Sequence, residues 1–169
     1  MAGEQKEHNI LTQEHEDAFV AAGLPFPPTL EDMLQGMGPK VNQLHYLQLS
    51  PRMRQALYYL IKTGKIDKDP PVDKIQVVDL NPAFERLHVM LNRSPCIVPS
   101  GWYWIQKCDE GRLMEPEEAF RLMSWDLDEL GVPWDRAAFS YREGFRLAGA
   151  AFEAHSVMAA TTILLACMP

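Results

Sequence analysis

The side chains best suited to metal or nucleophilic chemistry are few in this chain of 169 residues, and they stand far apart. The three cysteines (Cys96, Cys108 and Cys167) include no Cys-x-x-Cys pair, and no two histidines have the spacing of a helix-borne metal site. This usage argues against a disulfide framework and a structural zinc site, and it favours an intracellular, reducing compartment. The sequence also lacks a Gly-x-Ser-x-Gly turn, a phosphate-binding loop and a His-Glu-x-x-His pair. We therefore assign no catalytic residue, no cofactor-binding residue and no metal ligand.

Basic residues are concentrated in one part of an otherwise acidic chain. The formal net charge of −7 argues against binding nucleic acid through bulk electrostatics. Residues 40–74 nevertheless hold seven Lys or Arg against three Asp or Glu, so they are positive by four and the remainder carries −11. Such a stretch could meet phosphate, an acidic partner or the chain's own acidic remainder, and an ordinary solvated helix face has the same pattern. The candidate binding residues are Arg52, Arg54, Lys62 and Lys65.

The two ends of the chain show no targeting or membrane signal of adequate length. Residues 1–28 are polar and then rich in proline, which predicts an extended or flexible leader with at most one short helix. The apolar stretch from Leu147 to Met168 approaches the ~20 residues of a membrane-spanning helix, but Glu153 and His155 interrupt it. We therefore expect a buried core helix there rather than a membrane span.

The elements that must position these residues are helices and short strands. Ser50 can cap a helix, Pro51 suits its first position and Gly64 suits a left-handed stop, so a helix is predicted between them. Thr29 followed by Asp32 predicts another, shorter helix.

The rest of the chain predicts a small sheet and further helices, and thus an α+β fold with a mixed or antiparallel sheet and a long buried C-terminal helix. We expect residues 29–169 to form a single domain. The predicted elements are a strand at 75–80, a helix at 83–91, strands at 96–99 and 102–105, a helix from Pro116 and a helix from Arg142 to Cys167.

Two segments in the last third resemble the final two motifs of DNA cytosine-5 methyltransferases. The first runs from Arg112 to Trp125 and the second from Phe145 to Phe152. That family ends with an Arg…Thr-Pro-x-Glu-x-x-Arg-Leu-Gln-Gly-Phe segment and then an Ala-Gly-Asn helix. The resemblance covers residues 75–169, and it implies a scaffold that in the family organises target recognition and helps close the S-adenosylmethionine pocket.

The match to these motifs is partial. Met123 and Ser124 replace the family's Gln-Gly pair, and Asp126 replaces a proline. Ala150 replaces an asparagine whose amide normally makes structural hydrogen bonds. The residues that match are Arg112, Pro116, Glu118, Arg121, Leu122, Ala148 and Gly149, with Trp125 where an aromatic residue is usual.

The family's catalytic motifs are missing from this sequence. Methylating carbon 5 of cytosine requires a thiolate, an acid at the ring nitrogen and a methyl donor, which the family supplies through Pro-Cys-Gln, Glu-Asn-Val and an adenosyl-binding fold. Here the one Pro-Cys pair, Pro95-Cys96, is followed by Ile97 and lies too close to the penultimate motif. We interpret Cys96 as a buried strand cysteine, and we do not expect the chain to methylate DNA by itself.

Three functions are compatible with these observations. We favour a non-catalytic methyltransferase-like domain that binds a protein partner as an accessory subunit of a larger assembly. The alternatives are one half of a split DNA cytosine-5 methyltransferase, and an unrelated α+β structural protein whose last helix is buried in a partner or membrane. The favoured function needs no cofactor and reaches DNA only through a partner. Its expected binding surfaces are the helix from Pro51 to Lys65 and the terminal helix from Leu147 onward.

Overall fold

Short helices and an antiparallel four-stranded sheet make up the computed structural model, which confirms the predicted α+β class. The residues described are 13, 15–108, 110–125, 127, 129, 140–150 and 161. The strands are β1 (Gln76–Asp79), β2 (Val89–Leu91), β3 (Tyr103–Gln106) and β4 (Gly111–Leu113). The helices are α1 (15–21), α2 (Leu30–Met37), α3 (Gln43–Gln48), α4 (Pro51–Lys62), α5 (Pro116–Leu122) and α6 (Tyr141–Ala150), with a 3-10 turn at Phe84–Arg86.

The chain divides into two compact units. The first consists of Met1–Pro95 with Trp102–Leu113, and it contains the sheet and helices α1 to α4. The second consists of Cys96–Gly101 with Met114–Pro169, and it contains α5 and α6. The single domain expected over residues 29–169 stays a prediction.

Local capping signals place α2 and α4 where the sequence predicts them. The Thr29 hydroxyl accepts a hydrogen bond from the Asp32 amide, and the Asp32 carboxylate accepts one from the Thr29 amide, each at 3.1 Å. The Ser50 hydroxyl accepts one from the Met53 amide at 3.3 Å. Gly64 has a φ of +72°, a left-handed conformation that a residue without Cβ adopts at no steric cost. Both helix predictions are confirmed.

Aromatic packing joins three helices in the first unit. Phe19 of α1 is fully buried, and its ring centroid lies 5.6 Å from that of Tyr59 and 6.3 Å from that of Phe84. Gly36 of α2 approaches α4 so closely that a Cβ there would lie 2.6 Å from Cε2 of Tyr58. Helix α4 therefore packs against both α1 and α2.

The strands lie in the order β2-β1-β3-β4, and every neighbouring pair is antiparallel. Val78 of β1 stands opposite Val89 on one side and Trp104 on the other. Trp104 is fully buried and meets the ring of Tyr46 on α3 edge-on, with 6.3 Å between centroids. The predicted strands at 75–80 and 102–105 are confirmed as β1 and β3.

Two buried glutamines attach the segment before β1 to the sheet. Gln76 and Gln106 lie opposite each other on β1 and β3. The Gln76 side chain accepts from the Asp67 amide at 3.0 Å and donates to the Asp67 carbonyl at 2.9 Å. Gln106 donates to the Lys68 carbonyl at 3.1 Å and accepts from the Trp104 indole at 3.2 Å. Both side-chain amides donate and accept hydrogen bonds, so neither glutamine is buried with an unsatisfied polar group.

Two local predictions in the middle of the chain are wrong. Residues 83–91 do not form one helix, because a short 3-10 turn at Phe84–Arg86 is followed by strand β2. Residues 96–99 form no strand, and Cys96 is exposed rather than buried in one. Pairing with β1 is a contact distant in sequence, and such contacts override the local helical tendency of a short segment.

Helix α6 begins at Tyr141, one residue before its predicted start, and buries Phe145 and Ala148. Leu147 on the same helix is 47% exposed. Except for Thr161, the predicted continuation of this helix lies outside the described residues. Within the described ranges, no helix is both long and apolar enough to cross a membrane.

Candidate functional site

Arg52, the first of the predicted binding residues, is bound to the protein's own backbone. Its guanidinium donates hydrogen bonds to the carbonyl oxygens of Asn81 at 2.6 Å, Pro82 at 3.0 Å and Leu80 at 3.3 Å. Burial lowers the pKa of Arg52, and the nearby charge of Asp79 opposes that change. Arg52 therefore fastens the loop that follows β1 to α4.

The carboxylate of Asp79 organises the start of the same loop. One of its oxygens accepts from the Asn81 amide at 2.9 Å and from the Trp102 amide at 3.1 Å. Burial raises the pKa of Asp79, while these hydrogen bonds and the charge of Arg52 act in the opposite direction. The arrangement holds the end of β1 against the chain that enters β3.

The other three predicted binding residues differ in exposure. Arg54 is half-buried, and its Nε has no hydrogen-bond partner in the described chain. Lys62 and Lys65 are exposed, and their ammonium groups lie 5.6 Å and 5.2 Å from the ring centroids of Tyr58 and Tyr59. Cation-π contacts at such exposed sites are worth about 0.5–1 kcal/mol. That these cations bind a partner stays a prediction.

The first half of the penultimate motif builds the start of α5. Pro116 occupies the first helical turn, where its missing N–H would have no intrahelical partner. The Glu118 carboxylate accepts a hydrogen bond from the Glu115 amide at 2.8 Å. The Pro-x-Glu pattern thus starts the helix: Pro116 lacks one of the N–H groups that would be unpaired there, and Glu118 pairs another.

The second half of the motif builds the end of α5. Ser124 has a φ of +61°, and its amide donates to the Arg121 carbonyl at 2.9 Å. The Trp125 amide donates to the Phe120 carbonyl, also at 2.9 Å. These two bonds form a Schellman motif, whose left-handed residue is usually glycine. Ser124 is therefore a serine at a position where the backbone conformation favours glycine.

The glycine of the last motif permits a close approach within the second unit. A Cβ on Gly149 would overlap the backbone N of Pro99 and the carbonyl C of Val98, and it would lie 2.8 Å from Cα of Pro99. Ala148 beside it is fully buried. Helix α6 therefore packs directly on the backbone of residues 98–99.

Arg112, the first residue of the motif, lies on β4 in the other unit. Its Nε forms a 2.9 Å ion pair with Glu110, and one terminal nitrogen donates to the Leu113 carbonyl at 3.1 Å.

The described residues build no metal site. They include no group of three or more His, Cys, Asp or Glu side chains placed to hold a metal ion. A cleft of about 140 Å³ lies between residues 37–40 and 68–69, with an exposed ion pair between Lys40 and Asp69 at 2.6 Å. Its volume is below the ~300 Å³ at the lower end of small-molecule sites.

The two edges of the sheet differ. At the β4 edge, the Gly111 amide donates to the Lys40 carbonyl at 3.1 Å, and the Gly111 carbonyl accepts from the Asn42 amide at 2.8 Å. Val41 forms a parallel bridge to Gly111 at the same place. The chain before α3 therefore covers this edge, whereas no described strand pairs with the outer side of β2.

The register of β2 determines which of its backbone groups point outward. Met90 stands opposite Val77, and the Asn92 amide donates to the Ile75 carbonyl at 2.7 Å. Bonded and non-bonded pairs alternate in an antiparallel ladder, so Met90 bonds to β1 while the peptide groups of Val89 and Leu91 point away from it. Neither residue has a hydrogen bond to any other described residue on that outer side.

Apolar and cationic side chains surround this edge. Leu91 is 50% exposed, Met90 38% and Ile75 37%. Lys74 and Arg93 are exposed neighbours of Ile75 and Asn92, and neither has an ion pair with a described residue. We use the name β2 edge for Val89, Met90 and Leu91 together with Lys74, Ile75 and Arg93.

The β2 edge was missed in the sequence because residues 83–91 are predicted as a helix. Val89, a β-branched residue, and Asn92, which tolerates the φ of +52° found here, are the local signals that favour a strand and a turn.

Comparison of the chain with protein-family models, with curated proteins and with solved structures finds no significant match. The resemblance of residues 75–169 to DNA cytosine-5 methyltransferases thus depends on the motif residues themselves and stays a prediction.

Proposed function

We propose that this chain is a non-catalytic, methyltransferase-like domain that binds another protein as an accessory subunit of a larger assembly. The observation that carries the proposal is the β2 edge, where unpaired peptide groups lie beside exposed apolar side chains. Natural proteins usually cover or blunt such an edge, because it is a template for pairing with another chain. At the other edge of the same sheet, the backbone around Val41 pairs with Gly111 of β4, so the uncovered backbone groups are those of the β2 edge.

The motif residues support the methyltransferase-like part of the proposal. Glu118 caps a helix start, Ser124 occupies a left-handed helix end, and Gly149 allows close backbone packing. Each of these tasks shapes the fold and uses neither substrate nor methyl donor. A domain that has lost catalysis keeps such residues for its stability.

The same scaffold geometry is compatible with the split-enzyme alternative. In that case a second chain would supply the thiolate, the acid at the ring nitrogen and the adenosylmethionine site. The two functions make different demands on the partner, so the partner's identity and activity distinguish them.

The test begins with the tagged chain, purified from its native cells in mild detergent, with mass spectrometry of the proteins that co-purify. Each recovered partner is then mixed with the purified chain, and transfer of a labelled methyl group from S-adenosylmethionine to cytosine-containing DNA is measured. We expect a stoichiometric protein partner without a Pro-Cys-Gln motif, and no methyl transfer by the chain or the complex.

Two results would overturn the proposal. Recovery of a chain with Pro-Cys-Gln and an adenosylmethionine fold, with methyl transfer only by the mixture, would establish the split enzyme. A chain that stays monomeric and recovers no stoichiometric partner would remove the protein-binding function. The double variant Lys62→Glu, Lys65→Glu serves as a parallel sample, because loss of the partner with this variant would place the interface at the C-terminal end of α4 and the turn that follows it.

A further inference from the structure

We propose that the β2 edge binds an acidic, extended segment of a partner protein, which adds to the sheet as a fifth strand. This inference rests on the proposed protein-binding function, and it adds the binding mode and the chemistry of the bound segment.

The backbone of β2 provides the first requirement for strand addition. Val89 and Leu91 each direct an N–H donor and a C=O acceptor away from β1, and they are two residues apart. An extended peptide presents matching groups on every second residue, so it can pair with both positions at once. Recognition of peptides by addition to an exposed sheet edge gains its affinity from such main-chain hydrogen bonds.

The side chains of the edge provide apolar contacts on both faces of the sheet. Met90 shares a face with Val77, and Leu91 shares the opposite face with Gln76, since directly paired residues project to the same side. An added strand would place its alternate side chains beside Met90 on one face and Leu91 on the other. Both are now substantially exposed, so an added strand would remove apolar surface from water.

The charges around the edge determine which segment fits. Lys74 and Arg93 adjoin Ile75 and Asn92, which are joined by hydrogen bonds of 2.7 and 2.8 Å, so the two cations lie at the same end of β2. Arg86, exposed in the turn before β2, lies toward the other end. Asp73 is an exposed acid in the same region. Within the described chain, the side chains of these three cations have no ion pair, and an acidic segment would neutralise them.

Charge also disfavours two other occupants. A second copy of this chain that paired antiparallel through its own β2 would bring Arg93 of each copy toward Arg86 of the other, and like charges on neighbouring strands are destabilising. Nucleic acid could contact the cations, but it could not use the outward peptide groups as a strand does, and the net charge of −7 repels it.

Binding is tested with synthetic heptapeptides and the purified full-length chain. The probe is a peptide of alternating glutamate and valine, and its charge control alternates lysine and valine. A third peptide keeps the glutamates and valines but carries N-methyl groups on the residues that would bond to β2. Fluorescence anisotropy measures affinity, and amide hydrogen exchange at Val89 and Leu91 reports whether their N–H groups become bonded.

We expect the acidic peptide to bind and to slow exchange at Val89 and Leu91, and we expect the lysine peptide not to bind. N-methylation should weaken binding at least about tenfold, because it removes main-chain hydrogen bonds while keeping the charge. Arg93→Glu should weaken binding about fivefold, whereas Lys65→Glu, which makes the same charge change just beyond the end of α4, should leave it unchanged. Leu91→Pro, which removes an outward donor but no bond to β1, should abolish it.

Equal binding of the plain and N-methylated peptides would overturn strand addition and leave only an electrostatic contact. If Arg93→Glu and Lys65→Glu weaken peptide binding equally, the peptide does not bind specifically at the β2 edge. If partner recovery from cells is the same for the wild type and for Arg93→Glu, while no acidic peptide protects the edge, this inference fails and the protein-binding function stands. If the wild-type chain recovers no stoichiometric partner, the proposed protein-binding function itself is contradicted.

Discussion

Replacing Ser124 with glycine should stabilise the second unit, although the change removes a side chain. Ser124 has a φ of +61° at the left-handed residue that ends α5. Its side chain is exposed and forms no hydrogen bond with any described residue. The substitution therefore removes no hydrogen bond, and its main effect is on the conformational preference of the backbone.

The magnitude follows from two opposing effects. A left-handed conformation costs a residue with Cβ roughly 1–2 kcal/mol, and glycine avoids this cost. Glycine loses more conformational freedom on folding than serine does, and this destabilises the folded variant by roughly 0.5–1 kcal/mol. Ser124→Gly should therefore raise the free energy of unfolding by about 0.75 kcal/mol, the midpoint of the two effects, and raise the Tm by about 1.5–3 °C.

Thermal and urea unfolding of the purified chain measure this change. Ser124→Ala is the first control, because alanine is strained at this φ as serine is, and it should change the Tm little. Ser140→Gly is the second, since Ser140 caps α6 by accepting from the Glu143 amide at 3.3 Å, and glycine there should lower stability by a few tenths of a kcal/mol. A Tm for Ser124→Gly at or below that of the wild type, or an equal rise with Ser124→Ala, would refute the backbone argument.

Three further predictions concern the same fold. Gly149→Ala should lower the free energy of unfolding by about 1–3 kcal/mol, because its Cβ meets backbone that cannot rotate away, and urea denaturation measures the loss. Glu118→Ala should cost about 0.5–2 kcal/mol, while Glu118→Gln keeps an acceptor for the Glu115 amide and should recover most of it; equal losses would contradict the capping role. Burial lowers the pKa of His15 below 6.5, with repulsion from Arg52 adding to this and a hydrogen bond to Gln55 opposing it. The unfolded chain then binds a proton that the folded chain does not, so stability should fall as pH decreases below about 6.5. His15→Phe should flatten that part of the urea-measured stability profile, and an unchanged slope would contradict the assignment.

Helix ends were predictable from the sequence because their signals are local. Thr29, Ser50, Pro51 and Gly64 act on backbone groups within a few residues of themselves, and each has the role that its type predicts. The Pro-x-Glu start of α5 follows the same rule. Residue type and spacing are sufficient where the interacting groups are neighbours along the chain.

The β2 edge was not predictable in the same way. Val89–Leu91 becomes a strand only because β1 lies beside it, and a three-residue segment has too little periodicity to distinguish strand from helix. Arg52 resembles a solvent-facing cation in sequence, yet the carbonyl oxygens that bind it lie about thirty residues later. The exposure of Cys96 likewise depends on surroundings that its own segment does not specify.

The sequence by itself therefore determined the α+β class, the starts of α2, α4 and α5, and the end of α4. The tertiary structure decided which sheet edge is covered, which cations are engaged and which are exposed. The difference has a physical reason: caps and turns satisfy backbone groups through neighbours in the chain, whereas strand pairing and burial depend on groups brought together only by folding.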